Sequence, residues 1–451
     1  MARLIGPESF GFVGMIMIFI LLAESVVNGG FTAALVQRSH QLTDKDSSTI
    51  FYVNMIWGVI IYLVLYISAP FIADFYNQPL LIDISRVLFL VVIINSFMVV
   101  VRAKLTIAID FKSQTIAGTV STLFSSILAI WLAYLDYGYW SLVWFILSKS
   151  VVNSIVLWFY CKWLPQVVFS QDSLKSLFKF GSNLMIAGFV ATLVNNLYVA
   201  LVGRYFNAAS VGYFTQAVNL SNALSGLISS TLQGVTYPIM TSVKEDKERL
   251  VNIYKQLISI TMLVSLPVLV GFAALADSFV KLFLGNEWLP AIPLLVALSL
   301  ARAITPISAI NMNILNAVGR SDLFLKLDLS KLPMTLIALF IALPFGIEAL
   351  VWAMVCTSFI AFFINAYYPY KLFDFGPIKQ LKIAFNYILA SGVMYLAVKM
   401  VNIEFEILNL VTKIAVGIVV YSLFLFIRKD EFFMKIVGGI MMKINLRKRV
   451  E

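Results

Sequence analysis

The chain of 451 residues is 61% hydrophobic and only 12% charged, whereas a soluble protein carries about twice that share of charged residues. This composition excludes a soluble globular protein. The 33 basic and 23 acidic residues give a net charge of +10, but the basic residues are spread through short loops, which argues against a nucleic-acid-binding face. With one histidine and two cysteines, neither a zinc site, a Ser-His-Asp triad nor a disulfide framework is plausible, and we expect no metal or cofactor.

Long apolar runs divide the chain into spans of about 20 residues, the length of a helix that crosses a bilayer. We find no alternation of apolar and polar residues of the kind that marks a membrane β-barrel. The sequence therefore predicts an all-α, polytopic membrane protein with about thirteen transmembrane helices. Their predicted limits are 10–36, 48–70, 82–102, 113–135, 139–161, 180–203, 211–238, 252–274, 290–317, 324–344, 347–370, 381–400 and 407–427.

Basic residues concentrate in alternate loops, and such loops lie on the cytoplasmic side of a membrane. This pattern places the C-terminus in the cytoplasm and, because thirteen is odd, the N-terminus outside. The segment 431–451 mixes bulky apolar residues with cations. We expect a basic amphipathic cytoplasmic tail there, with a plain polar tail as the alternative.

Two motifs recur about two hundred residues apart. The stretch 3–12 resembles 204–213 at an offset of 201, and the stretch 138–144 resembles 346–352 at an offset of 208. Such a repeat predicts two related lobes, which in membranes is the architecture of a transporter. We expect six-helix lobes at 1–163 and 174–373, followed by an extra two-helix hairpin at 378–430.

The repeat also predicts a helix before the first motif. Arg204 follows a full predicted span, whereas only two residues precede Arg3. We therefore expect that the first helix of the N-terminal lobe is missing, either because translation starts further upstream or because this form is truncated.

Polar residues follow one face of the predicted helix 211–238, since they recur every three or four positions. We expect this face to line a wet cavity, although a polar stripe can also hold helices together. The repeat maps Glu24 onto Ser225, so Glu24 should lie on the equivalent face of a related helix. Glu24 is then either a buried, paired carboxyl or a group that couples transport to protons. The stripe comprises Gln216, Asn219, Asn222, Ser225, Ser229 and Gln233.

Cations near the middle of predicted spans are costly and indicate a functional site. Lys149 lies within 139–161, and Arg302 lies four residues before Pro306 within 290–317. Because proline has no N–H for the carbonyl of Arg302, the helix should kink or loosen there. Lys331 follows Asp328 by three residues, so the two side chains can simply pair. Cations among amides and hydroxyls suit an anionic ligand rich in hydroxyl groups. The candidate ligand-binding residues are Lys149, Arg302, Lys331, Asn219, Asn222, Ser225 and Gln233.

Five stretches in chain order, 3–11, 33–43, 69–73, 282–290 and 315–320, together resemble motifs of bacterial lipid-linked oligosaccharide flippases. These form the polysaccharide-exporter branch of a superfamily that also contains multidrug/toxin extruders and the peptidoglycan-precursor flippase. The resemblance implies fourteen helices, alternating access across a central cavity, and an undecaprenyl-diphosphate-linked oligosaccharide as substrate. One departure concerns ion coupling, because Tyr198 stands where related sequences often carry Asp.

We therefore expect a flippase for O-antigen, capsule or exopolysaccharide synthesis in the bacterial cytoplasmic (inner) membrane. A multidrug or cation antiporter is the alternative, which Glu24 favours and which Lys149 and Arg302 oppose. A membrane enzyme such as a polymerase would usually carry a large outside loop, so we expect no enzyme activity. The expected partners are the lipid-linked oligosaccharide and membrane lipids, with no nucleic acid. We expect a monomer that works beside polysaccharide-assembly proteins.

Overall fold

The computed structural model describes residues 1–39, 42–435 and Gly438, without the side chains of residues 179, 180 and 183. The predicted tail at 431–451 therefore lies largely outside the described residues. Helices make up the regular structure of the described part. They are α1 (Ala2–Asn28), α2 (Phe31–Gln37), α3 (Asp44–Tyr76), α4 (Leu81–Leu88), α5 (Leu90–Ser96), α6 (Val99–Ile107), α7 (Phe111–Tyr134), α8 (Tyr139–Cys161), α9 (Gln171–Tyr205), α10 (Ala208–Ser242), α11 (Lys247–Phe279), α12 (Ala291–Ala303), α13 (Thr305–Ala317), α14 (Ser321–Ala342), α15 (Ile347–Asn365), α16 (Tyr367–Phe373), α17 (Pro377–Met400) and α18 (Glu406–Ile427).

Twelve helical segments of the described residues are long and apolar enough to cross a membrane. Several are broken within the span, since α1 and α2, α4 to α6, α12 and α13, and α15 and α16 each form one segment. An all-α, polytopic membrane protein is therefore confirmed.

The predicted count of about thirteen spans is not confirmed, and the difference lies in α10. This helix has 35 residues and contains the whole predicted span 211–238, but it is not among the twelve. It carries no charged residue, so the amides and hydroxyls of its polar stripe are what lower its hydropathy. The polar stripe that indicates a site on α10 therefore also makes this helix too polar to be counted as a span by composition.

The chain divides into two compact units, Met1–Thr215 and Gln216–Glu451. The first contains α1 to α9 and the first turns of α10, and the second contains the remaining helices. This division follows contacts between residues, whereas the predicted lobes follow the sequence repeat. The lobe limits at 1–163, 174–373 and 378–430 stay a prediction.

In the first unit, polar contacts tie the start of α3 to the connection between α8 and α9. Lys104 Nζ lies 2.8 Å from Asp44 Oδ1, and the indole N–H of Trp163 donates to the same oxygen at 3.2 Å. The hydroxyls of Ser48 and Thr49 accept hydrogen bonds of 2.9 and 3.1 Å from backbone N–H groups of the connection. The ammonium group of Lys104 is thus neutralised by a carboxylate.

The start of α1 packs against the start of α10 through two glycines of the repeated motif. A Cβ on Gly11 would lie 1.7 Å from the carbonyl oxygen of Ala208, and a Cβ on Gly212 would lie 2.0 Å from that of Pro7. Ala208 and Gly212 follow Pro7 and Gly11 by 201 residues each, so each helix makes the same contact to the other. The repeat therefore produces a two-fold symmetric contact between the helices. Because glycine has no side chain, the two backbones can approach each other closely at these positions.

In the second unit, three buried polar side chains form a closed set of hydrogen bonds between α11, α13 and α17. The hydroxyl of Tyr254 donates to Asn311 Oδ1 at 2.5 Å, and Asn311 Nδ2 donates to Gln380 Oε1 at 3.1 Å. Gln380 Nε2 donates back to the Tyr254 oxygen at 3.0 Å. All three side chains are fully buried, so this network fixes the three helices to one another.

We predict that Gly11→Ala destabilises the protein, because the added methyl group forces the two helix backbones apart. Overpacking of a tight contact typically costs about 1–3 kcal/mol. Gly118→Ala on α7 is the control, since nothing lies within 4 Å of the added atom there. The measurement is the thermal midpoint of the purified protein in detergent, followed by size-exclusion chromatography. Equal midpoints for the two variants would show that the contact is looser than described.

Candidate functional site

The centre of the candidate site is the break between α12 and α13. Pro306 has no N–H to donate, so the carbonyl of Arg302 loses its partner within the helix. As predicted, the helix is interrupted, with α12 ending at Ala303 and α13 beginning at Thr305. Two hydroxyls from neighbouring helices approach carbonyls at the end of α12. Ser225 of α10 donates to the oxygen of Arg302 at 3.5 Å, and Ser265 of α11 donates to the oxygen of Ala303 at 3.3 Å.

The guanidinium group of Arg302 lies at this break and forms no hydrogen bond with the part of the chain that the structure describes. Its Nε is buried and has no hydrogen-bond acceptor, and Arg302 forms none of the ion pairs found among the described residues. The Ser229 hydroxyl, one turn after Ser225 on α10, is also buried without a partner. The structure thus brings together two of the predicted residues, Arg302 and Ser225, around donors that lack acceptors.

The polar stripe of α10 changes in exposure along its length. Ser225 is 3% exposed, and it contacts the broken helix. Asn219, Asn222 and Gln233 are exposed. These three exposed amides can therefore contact a ligand or water. The buried Ser225 instead donates a hydrogen bond at the helix break.

Glu24 has a defined partner in the first unit. It lies in α1, is half-buried, and accepts a hydrogen bond of 2.5 Å from Asn95 Nδ2 of α5. The positive charge of Arg102 acts on the same carboxyl group. Glu24 was expected to be either a buried, paired carboxyl or a group that couples transport to protons. The hydrogen bond from Asn95 fits the first interpretation, and the coupling role stays a hypothesis.

The two predicted lysines have different surroundings. Lys149 is exposed near the middle of α8, with Nζ 5.8 Å from the centroid of the Phe145 ring, and it forms none of the ion pairs of the described residues. Lys331 Nζ lies 2.8 Å from Asp328 Oδ1, so the predicted pair is confirmed. Lys149 remains available to an anion, whereas the charge of Lys331 is already balanced.

Sequence reasoning missed three polar residues, two of which contact Glu24 or the helix break. Asn95 binds Glu24, and Ser265 donates to a carbonyl at the end of α12. Asn54 of α3 is fully buried, and neither its nitrogen nor its oxygen has a partner. Each is a polar residue inside an apolar span, and this was the only sequence feature that could have identified it. A single polar residue makes no periodic pattern, so it was not recognised.

The groups gathered at this site are hydrogen-bond donors and acceptors that can bind a ligand. Among the described residues no group of three His, Cys, Asp or Glu side chains is placed to hold a metal ion. Arg302 offers a planar set of donors that matches phosphate oxygens. The exposed amides of α10 offer donors and acceptors suited to sugar hydroxyls.

A family model described as "Polysaccharide biosynthesis protein" matches residues 1–293. The chain is 26% identical over 421 residues to the teichuronic acid biosynthesis protein TuaB of Bacillus subtilis, covering 90% of this chain and 86% of that protein. It is 22% identical over 446 residues to the succinoglycan biosynthesis transport protein ExoT of Rhizobium meliloti, covering 97% and 90%.

The fold is similar to that of a solved structure, the lipid II flippase MurJ in an inward closed conformation. The TM-score is 0.77 with 16% sequence identity, and the alignment covers 96% of this chain and 94% of that one. At this identity the likeness concerns the fold alone.

Proposed function

The chain belongs to the family of polysaccharide biosynthesis proteins, and from this we propose that it is a flippase for lipid-linked oligosaccharides. In this proposal it moves an undecaprenyl-diphosphate-linked oligosaccharide from the cytoplasmic to the outer leaflet by alternating access. The product would serve O-antigen, capsule or exopolysaccharide synthesis. The names of TuaB and ExoT, which refer to polysaccharide biosynthesis and transport, support this substrate class.

The observation that carries the proposal is the unpaired guanidinium of Arg302 at a broken transmembrane helix. Arg302 is partly buried, with its Nε out of contact with solvent, and a cation held there without a counter-charge is costly, so an anion is expected to visit it. A diphosphate is such an anion, and Arg302 can bind two of its oxygens at once. We assign Lys149 the same role in the first unit, and the exposed amides of Asn219, Asn222 and Gln233 the binding of sugar.

The remaining predicted residues have supporting roles in this proposal. Ser225 holds the broken helix through the carbonyl of Arg302. Lys331, which already pairs with Asp328, contributes at most a weak contact to the ligand. The protein is taken to work as a monomer in the cytoplasmic membrane of a bacterium, beside polysaccharide-assembly proteins and without an enzyme activity of its own.

A multidrug or cation antiporter is the second candidate function, and the carboxyl group of Glu24 is the observation that favours it. A cavity for cationic drugs is expected to present acidic residues. Here the candidate positions inside the spans include two unpaired cations, Lys149 and Arg302, against one carboxyl that already has an amide partner. The balance of charge therefore favours an anionic substrate.

We predict that Arg302→Ala and Lys149→Ala each reduce polysaccharide export about tenfold to a hundredfold, because a hydrogen bond to a charged group contributes about 1.5–3 kcal/mol. Arg302→Lys should restore export only in part, since the planar fork of donors is lost. Export is measured as surface polysaccharide in a strain that lacks its own flippase, with immunoblots of the membrane fraction to check protein level.

Arg320→Ala and Lys244→Ala are the matched controls, because both cations are exposed and already pair with a neighbouring carboxylate. These controls should export at the parental rate. Normal expression together with parental export in both Arg302→Ala and Lys149→Ala would show that the cationic mechanism is wrong.

We predict that Glu24→Gln abolishes export while leaving the protein level unchanged, if the carboxylate couples transport to protons or cations. The design uses the contact with Asn95, because a glutamine oxygen can accept the same hydrogen bond and only the charge is lost. Glu24→Leu removes both the charge and the hydrogen bond. Parental export by Glu24→Gln, combined with loss of protein in Glu24→Leu, would leave Glu24 with a structural role only.

The charges of the loops support a cytoplasmic C-terminus and, for the chain as given, an external N-terminus. We predict that a reporter active only outside the cytoplasm stays silent when it is fused after Arg428 and is active when it is fused at Met1. The measurement is reporter activity normalised to fusion protein level. Activity of the fusion after Arg428 would reverse the proposed orientation.

A further inference from the structure

A polar cavity of about 270 Å³ lies in the second unit, where the end of α11, the end of α17 and the start of α18 meet. It shares no residue with the candidate transport site. Its ionisable lining residues are three lysines and two carboxylates. These are Lys281, Lys399, Lys413, Asp277 and Glu406.

Lys413 is the unusual member of this group, because its side chain is only 6% exposed. Its Nζ donates to Ser278 Oγ at 2.9 Å, and the same oxygen receives Asn409 Nδ2 at 3.5 Å. An ammonium group has three N–H donors, yet Lys413 forms no ion pair among the described residues. A buried cation aimed into a polar cavity with free donors indicates a site for an anion.

The carboxylates of the cavity neutralise Lys413 only in part. Asp277 attracts Lys413 but forms its ion pair with Lys399, and Lys399 and Lys281 both repel Lys413. Glu406 is exposed at the first turn of α18. Three lysines against two carboxylates leave one surplus positive charge. A phosphodiester carries a single negative charge and matches this surplus, whereas a diphosphate would exceed it.

Lys413 also lines a second cavity, of about 420 Å³, which continues along α11, α17 and α18. Apart from Lys413, its lining is almost wholly apolar and includes Phe272, Met394, Gly417 and Ile418. The hydrophobic lining is suited to a hydrocarbon chain. A cationic cavity and an apolar one therefore meet at a single buried lysine, near the end of three membrane-spanning helices where lipid headgroups lie.

We propose that these two cavities form a binding site for an anionic phospholipid of the membrane. Its phosphodiester contacts Lys413, Lys399 and Lys281, and one of its chains occupies the apolar cavity. The lipid supplies the counter-charge for Lys413 and stabilises the packing of α17 and α18 against α11. This site is separate from the transported substrate and does not depend on the proposed function.

The test uses the full-length protein purified in a neutral detergent, with phosphatidylglycerol as the probe. We measure bound lipid by native mass spectrometry and the dissociation constant by the rise in thermal midpoint on titration. Phosphatidylglycerol should bind at least tenfold more tightly than phosphatidylethanolamine, which has no net charge. Lys413→Met and Lys281→Gln should each weaken phosphatidylglycerol binding at least tenfold.

Lys281 is exposed, so Lys281→Gln keeps the test valid even if Lys413→Met fails to fold. Lys244→Gln, at an exposed lysine outside both cavities, should bind phosphatidylglycerol like the parent. Equal binding of both phospholipids would overturn the proposal. A rise in thermal midpoint with inorganic phosphate alone would also overturn it, because it would indicate a site for a free anion. Displacement of phosphatidylglycerol by undecaprenyl diphosphate at equal concentration would overturn it as well, because it would indicate a site for the substrate.

Discussion

The hydrogen bonds around the break before Pro306 show the constraint on which the second unit depends. Within a lipid bilayer each backbone polar group must find its partner in the protein, since no water is available. Pro306 cannot donate to the carbonyl of Arg302, and hydroxyls of two other helices, Ser225 and Ser265, approach the carbonyls of Arg302 and Ala303. The break therefore links α10 and α11 to the end of α12 through side-chain hydrogen bonds.

The same constraint separates the cations of the protein into two classes. Lys104 and Lys331 each pair with a carboxylate, so neither needs a further counter-charge. Arg302 and Lys413 are placed in or beside membrane spans without such a pair. An unpaired charge in that position is costly, and a bound anion can neutralise it. The proposed roles follow from this difference, with a transported diphosphate at Arg302 and a resident lipid phosphate at Lys413.

The internal repeat was predictable from the sequence, but the physical reason for its glycines was not. The glycines at positions 11 and 212 lie where two helix backbones touch, and only the structure shows this contact. The interruption at Pro306 and the pair of Asp328 with Lys331 followed from the local rules for proline and for helix spacing. These features depend on neighbours in sequence or on a periodic pattern.

Features that depend on neighbours in space could not be predicted in the same way. Nothing in the sequence around Glu24 identifies Asn95 as its partner, since the two lie 71 residues apart. Lys413 lies near the end of an apolar span, where snorkelling to the surface is the ordinary expectation, yet helix packing buries it. The count of about thirteen spans is not confirmed, because the hydropathy of α10 reflects its polar face and not whether the helix crosses the membrane.

The central claim is that this protein moves an anionic lipid-linked oligosaccharide, and the most direct test is transport by the purified protein in liposomes. A labelled undecaprenyl-diphosphate-linked oligosaccharide is placed in both leaflets, and its outer-leaflet fraction is followed with an enzyme that modifies only exposed glycan. We expect the protein to expose the inner-leaflet pool, with no movement in empty liposomes. Transport of a cationic dye with no movement of the glycan would contradict the account and favour an antiporter.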